Sequence, residues 1–171
     1  MDDQRLANDS RLKYVKPSWQ KRWLRMGTES GNAPAREWSN RKETVQKEKA
    51  LVGLMHKAGV KILAGTDDSN PFCFPGFSLH DELAILVDAG LTPLEALQIA
   101  TINPAKFLNK LDSLGTIEKG KLADLLLLNA NPLMDIHNTS KIQAVIVNGQ
   151  FIDRQDLNHM LEEIEAAAKK K

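Results

Sequence analysis

Asp67 and Asp68 are the residues whose type and placement could do chemistry. They stand side by side just past a short apolar run, Val60 to Ala64, in the stretch GVKILAGTDDSNPFCFPGFSLHDEL of residues 59–83. The run is too short for a helix and is bounded by Gly59 and Gly65, which predicts a buried strand. Ligands of α/β proteins gather at the carboxyl ends of strands, and a carboxylate fixed there can act as a base. Adjacent aspartates are equally at home as turn formers that bond the local backbone. Position alone leaves both readings open.

The other reactive side chains are weaker candidates. His80 lies at the start of the helix after the loop, placed either to reach a site mouth or to bond the loop backbone. Asn70, Phe72 and Phe74 suit a substrate cleft rim, and they suit simple loop packing as well. Cys73, the single cysteine, has no histidine or basic cluster nearby in sequence, so it reads as a free thiol rather than a nucleophile. His56 is expected on a helix surface, and His137 and His159 in solvent. Asp124 opens a strand and reads as a structural carboxylate that bonds turn backbone.

The elements around these residues are legible to different degrees. Residues 1–42 are polar and irregular, with Pro17, Gly27, Gly31 and Pro34 expected to break any long element. Trp19 and Trp23 are four apart, so a short helix would put both rings on one face; Trp38 falls in the same stretch. The segment is expected to wrap over something, the alternative being a disordered tail. A helix is predicted from about Arg41 to Lys57, with Leu51, Leu54, Met55 and Ala58 lining one side and Gly59 as its left-handed terminator. A second helix, Ser78 to Ala89, would take Ser78 as its cap. Thr92-Pro93-Leu94-Glu95 starts a third that runs to about Thr101, and Asn103-Pro104 a shorter one that ends near Lys110. From Leu114 the character turns to β. Leu114–Gly120 reads as a turn or hairpin with a short strand, and 124–128 and 142–147 read as strands. Asn148-Gly149 favours a two-residue hairpin turn leading into Gln150–Ile152. Asp153 would cap a last helix whose Leu157, Leu161, Ile164 and Ala168 share a face.

The whole chain sets broad bounds. Its 171 residues suffice for a full-sized domain with a real core, and a formal charge of +1 gives no electrostatic case for nucleic acid or an anionic membrane. No run approaches the roughly 18 apolar residues of a membrane span. Met1 is followed by Asp2 and Asp3 rather than a secretory leader, so a cytoplasmic location is expected. A lone cysteine excludes an internal disulfide and any cysteine-cluster metal site.

Several phrases, in order and with matching spacing, resemble the metal-dependent amidohydrolase superfamily, specifically its imidazolonepropionase-like and prolidase-like branch. They are 59–67 (GVKILAGTD), 75–83 (PGFSLHDEL), 89–97 (AGLTPLEAL), 100–105 (ATINPA), 114–124 (LGTIEKGKLAD), 131–133 (NPL) and 147–149 (VNG). The resemblance runs from about Lys42 to Arg154, and Leu12 to Trp23 looks like the loop these enzymes carry after the seventh barrel strand. It implies an α/β fold: the C-terminal part of a (β/α)₈ barrel, with Val60–Gly65 as its eighth strand, joined to part of a small β-sandwich. Residues 1–113 would belong to the barrel, 114–154 to the sandwich, and 155–171 to a terminal helix outside the resemblance.

In such enzymes the carboxylate matching Asp67 binds or faces a divalent metal, zinc for preference. It takes a proton from metal-bound water and returns it to the leaving nitrogen. The implied reaction is hydrolysis of a C–N bond in a small-molecule substrate: a cyclic or non-peptide amide, or an Xaa-Pro dipeptide. Asp68 would be a capping or supporting group, and His80 and Asn70 would contact substrate.

The ligand set is incomplete. The family's other donors are a His-x-His pair and further histidines, whereas none of the four histidines here forms such a pair. One carboxylate cannot hold a catalytic zinc, which needs about three protein ligands. The expectation is therefore a C-terminal portion that is inactive in isolation, holds no stoichiometric zinc, and needs a missing N-terminal portion or forms a homo-oligomer to cover its sheet edge. Two other readings compete: a non-catalytic residual or complementing domain, and a Mg²⁺ or phosphoacceptor site on a doubly wound fold. The hairpin signal and the lack of a glycine-rich phosphate loop weaken the last.

Overall fold

The computed structural model describes residues 7–31, 35–68 and 70–170, with 27–31 and 35–38 by backbone alone. Pro34 and the ring of Trp38 lie outside the described residues.

The N-terminal segment is more ordered than its composition suggests. A 3-10 helix, Ser10–Tyr14, is capped by the Asp9 carboxylate, which accepts the Arg11 backbone N–H. Helix α1 (Pro17–Gly31) follows, with Pro17 at its start and Gly27 inside it. Gly31 is the last residue of α1, whereas Pro17 does not interrupt it, because a proline in the first turn sacrifices only an N–H that has no helical partner. One interior glycine costs about 1 kcal/mol, which packing can offset. The Gln20 side-chain amide donates to the carbonyls of Leu12 and Val15, at 2.8 and 2.6 Å, and so ties the 3-10 turn to α1. Trp23 is buried with Leu12 and Phe74 in a small core, edge-on to Phe74 with ring centroids 5.6 Å apart, while Trp19 stays 48% exposed. The segment does wrap over the loop that follows Asp67.

Helix α2 (Ala35–Lys57) starts well before the predicted Arg41. It meets the main core through Val52 and Gly53. A Cβ on Gly53 would lie 2.2 Å from the carbonyl oxygen of Ala89, so only glycine permits this approach. The predicted apolar side is mostly uncovered: Leu51, Leu54 and Met55 remain exposed.

Helices α3 (Ser78–Asp88), α4 (Pro93–Ala100) and α5 (Ile102–Phe107) build the main core from Leu83, Leu86, Leu91, Ala96 and Ile99, closed by Ile136. At α4 the Thr92 hydroxyl accepts the Glu95 N–H, and the Glu95 carboxylate accepts the Thr92 N–H, a complete capping box. Ser78 is not a cap. The helix begins on it, and its hydroxyl accepts the Phe74 N–H instead, at 2.7 Å. Asn103 does not cap α5 either; its amide donates to the Ile62 carbonyl at 3.1 Å, and the helix stops short of Lys110.

The strands are β1 (Leu125–Leu128), β2 (Ile142–Val147) and β3 (Gln150–Ile152), a three-stranded antiparallel sheet in the order β1-β2-β3. Asn148 and Gly149 take φ of 50° and 75°, the left-handed pair such a hairpin turn needs. Asp124 accepts the Asn148 N–H at 3.1 Å, the turn-bonding role expected of it. Helix α6 (Arg154–Lys169), capped by Asp153, packs on β2 and on the 3-10 helix.

Two predicted strands are absent. Leu114–Gly120 is a set of turns and bends, with Gly115 at φ 88° pressed against Ala105. Residues 60–65 form neither a strand nor a helix. A strand is defined by its ladder, and among the described residues no neighbouring strand lies beside this segment. The fold is thus a mixed helical and antiparallel-sheet structure.

Candidate functional site

Three groups hold the segment 60–66 that leads to Asp67. The Ala64 N–H donates to the Ile99 carbonyl at 3.4 Å, and Asn103 reaches Ile62 as described. The Glu82 carboxylate of α3 receives the N–H groups of Gly65 and Thr66, with Thr66 at 2.8 Å. A tight turn follows, in which Thr66 and Asp67 take φ of 52° and 51° and the Asp67 N–H points back to the Gly65 carbonyl at 2.6 Å.

That turn lifts Asp67 into solvent. Its Oδ2 accepts from the Asn70 side-chain amide at 2.6 Å, and the same amide donates to the Asp67 carbonyl at 3.1 Å. One oxygen of the carboxylate is therefore engaged and its orientation set. Asp68, also exposed, lines a cleft of about 390 Å³ together with Tyr14, Trp19, Trp23, Cys73 and Pro75. The structure thus brings Asp67 and Asn70 into contact and sets Asp68 beside an aromatic hollow.

His80 takes a different partner. Its Nδ1 lies 3.1 Å from the Thr139 hydroxyl, whose proton goes to the Ile136 carbonyl at 2.8 Å. With that proton committed, the ring nitrogen is the donor, which places a proton on Nδ1. Burial pushes the His80 pKa below its ordinary value against the opposing pull of Asp81. Phe74 is fully buried and so packs the loop, while Phe72 leans on Trp23 with centroids 5.7 Å apart. Burial, reinforced by Asp68 and Asp67, raises the Cys73 thiol pKa, so it makes a poor thiolate. His56 pairs with Glu95 and is partly covered, whereas His137 and His159 are exposed beside Asp135 and beside Glu162 and Glu163.

Glu82 and Arg11 were overlooked in the sequence. The sequence carries no signal for Glu82, because a run that reads as a strand is expected to satisfy its N–H groups in a ladder.

The sequence profile of the amidohydrolase family matches residues 24–152. An imidazolonepropionase of Geobacillus kaustophilus (strain HTA426) is 33% identical over 99 residues, covering 56% of this chain and 23% of the relative. A 5-methylthioadenosine/S-adenosylhomocysteine deaminase of Clostridium tetani (strain Massachusetts / E88) is 40% identical over 86 residues, covering 43% and 20%. Among solved structures, a Xaa-Pro dipeptidase superposes with a TM-score of 0.55 at 33% identity over 61% of this chain and 25% of its own. A bottromycin amidohydrolase superposes with a TM-score of 0.75 over 96% of this chain and 37% of its own; at 24% identity that likeness speaks for fold alone. The chain spans about a quarter of the length of the curated relatives it matches. The chain belongs to the amidohydrolase family.

Members of this superfamily generally depend on a metal, so the donors present bear on whether one fits. Among the described residues no three His, Cys, Asp or Glu side chains converge as a metal site needs. Asp67 already spends one oxygen on Asn70, and each histidine is engaged elsewhere. The residues present do not by themselves fit a catalytic metal.

Proposed function

We propose that, as a member of the amidohydrolase family, this chain supplies one corner of a hydrolytic site that cleaves a C–N bond. The observation that carries the reading is Asp67: an exposed carboxylate just past the apolar run 60–64, oriented through one oxygen by Asn70. The other oxygen, which no bond engages among the described residues, accepts a proton as water attacks the carbonyl carbon. The same carboxyl then delivers that proton to the departing nitrogen, so one group acts as base and acid in turn. Substrates of the class are cyclic or non-peptide amides, or Xaa-Pro dipeptides. Support for that range comes from relatives named imidazolonepropionase and S-triazine hydrolase and from the Xaa-Pro dipeptidase structure.

In this reading residues 60–65, which have no strand beside them among the described residues, become the eighth strand of a (β/α)₈ barrel once neighbouring strands pair with them; residues 1–113 are the barrel part, 114–154 part of a sandwich domain, and 155–171 an added helix. Asn70 doubles as a substrate-facing amide. His80 contacts substrate only if its Thr139 bond is exchanged. Donors for a divalent ion, zinc for preference, come from polypeptide beyond the residues that converge here, and the chain alone is inactive. The working location is the cytoplasm.

Asp67→Asn in the complete hydrolase, assembled with the polypeptide that supplies the remaining ligands, tests the role. Loss of turnover by about 10²–10⁴-fold with an unchanged fold is expected for a proton-transferring group. A second reading, a non-catalytic complementing domain, draws on the uncovered apolar side chains Val60, Leu63, Leu51 and Leu54. Full turnover by the Asn variant would favour it.

A further inference from the structure

We propose that Glu82 is the positioning residue that fixes the backbone pose of Asp67, an inference that rests on the role of Asp67 proposed above. Three close approaches define it. Oε2 of Glu82 receives the Thr66 N–H at 2.8 Å and the Gly65 N–H at 3.1 Å, and Oε1 lies 3.2 Å from the same Gly65 nitrogen. Hydrogen bonds to an ionised carboxylate are roughly twice as strong as neutral ones. They meet two N–H groups that have no strand beside them among the described residues.

The next two residues need such a restraint. Thr66 and Asp67 both sit in the left-handed region, at φ 52° and 51°. For a β-branched threonine that conformation is strained and persists only when its surroundings over-determine it. Glu82 is anchored for this purpose. Its helix buries the adjacent Leu83, and Leu86 one turn on, in the main core. The preceding Asp81 is held by Arg11. The position of Asp67 is thereby referred to the core of the molecule rather than to its own loop. Without the carboxylate, Thr66 relaxes to negative φ and the Asp67 side chain is re-aimed.

The test is NMR on the labelled full chain. In the wild type, strong intraresidue N–H to Hα cross-peaks at Thr66 and Asp67 report positive φ, and the Gly65 and Thr66 amides are protected from exchange. Glu82→Gln is expected to weaken both cross-peaks and to speed exchange at those two amides about tenfold or more, leaving the Leu86 amide as it was. Glu82→Asp keeps the charge but draws it back by one methylene, and it is expected to give the same local loss should the Gln variant not fold. Retention of both cross-peaks and of protection in either folded variant overturns the proposal. In the complete hydrolase Glu82→Gln lowers kcat with KM within about twofold, as a change confined to the transition state does; an unchanged kcat beside a disabled Asp67→Asn overturns the positioning role alone. If Asp67→Asn is itself fully active, the base role fails while the NMR result still decides what Glu82 holds.

Discussion

Arg11 and Asp81 meet at 2.5 Å, Nη1 to Oδ2, and join the 3-10 turn to α3 across 70 residues of sequence. The rest of the guanidinium is also engaged. Nε and Nη2 donate to the Asp9 carboxylate at 2.9 and 2.7 Å, and the cation lies 4.5 Å above the Phe74 ring. The bond from Arg11 holds the Asp9 carboxyl below its ordinary pKa. Phe74 carries the small core, and Glu82 is the next residue after Asp81. The N-terminal segment is therefore clamped to the same turn of helix that holds the Asp67 loop.

Removing that clamp tests its worth. The Arg11–Asp81 pair is water-exposed, so Asp81→Asn is expected to cost below about 1 kcal/mol. Arg11→Ala loses both carboxylate partners and the ring contact, and about 1–2 kcal/mol is expected. Urea unfolding measures both. Trp23 fluorescence should shift in Arg11→Ala at low urea, before the main core melts.

Gly53→Ala is expected to destabilise the chain by about 1–3 kcal/mol, the range for forcing a packed contact apart. The obstacle at 2.2 Å is a backbone carbonyl, which no rotamer change removes. Thermal melting checks it, against Leu54→Gln on the exposed side of the same helix, where a change within about 0.5 kcal/mol is expected.

What the sequence conveyed divides along physical lines. Elements signalled by local bonding were legible: the Thr92–Glu95 box, the Asp153 cap and the Asn148-Gly149 turn each satisfy their own backbone within a few residues. Elements that need a distant partner were not. Val60–Ala64 has the composition of a buried strand, yet a ladder requires a neighbour that the described residues do not provide. Pro17 read as a breaker because its stretch is polar, although proline opens helices as readily as it ends them. Asp67 was visible as a carboxylate at the end of an apolar run. Its dependence on Glu82 and Asn70 was invisible, because loop geometry decides which donors meet which oxygens.

Acid should weaken α4 before it weakens the rest. The bond from His56, with those from Thr92, draws the Glu95 pKa down to about 2. A carboxyl whose folded pKa is depressed contributes stability that is present above its unfolded value, near 4.5, and is lost as pH falls toward 2. Amide exchange in 93–100 is expected to accelerate across that window. Glu95→Gln, which cannot titrate, should start with a weaker helix and show no such limb. Equal pH dependence in both proteins would remove Glu95 as the cause.

Cys73 offers a reporter for the charge beside the candidate site. Burial raises its pKa first, and Asp68 and Asp67 raise it further, so the thiolate is scarce at pH 8. Alkylation by iodoacetamide should run several-fold slower in the folded chain than in 6 M urea. Asp68→Asn or Asp67→Asn removes one negative neighbour and should quicken it, because the thiolate then forms at lower pH. A cation held by the pair would act in the same direction. Since no converging ligand set accompanies these carboxylates among the described residues, millimolar Mg²⁺, an oxygen-seeking ion that spares thiols, is expected to leave the rate of the isolated chain unchanged. A saturable acceleration by Mg²⁺ that disappears in Asp67→Asn would show a cation site in this chain alone, and would count against the need for donors from elsewhere.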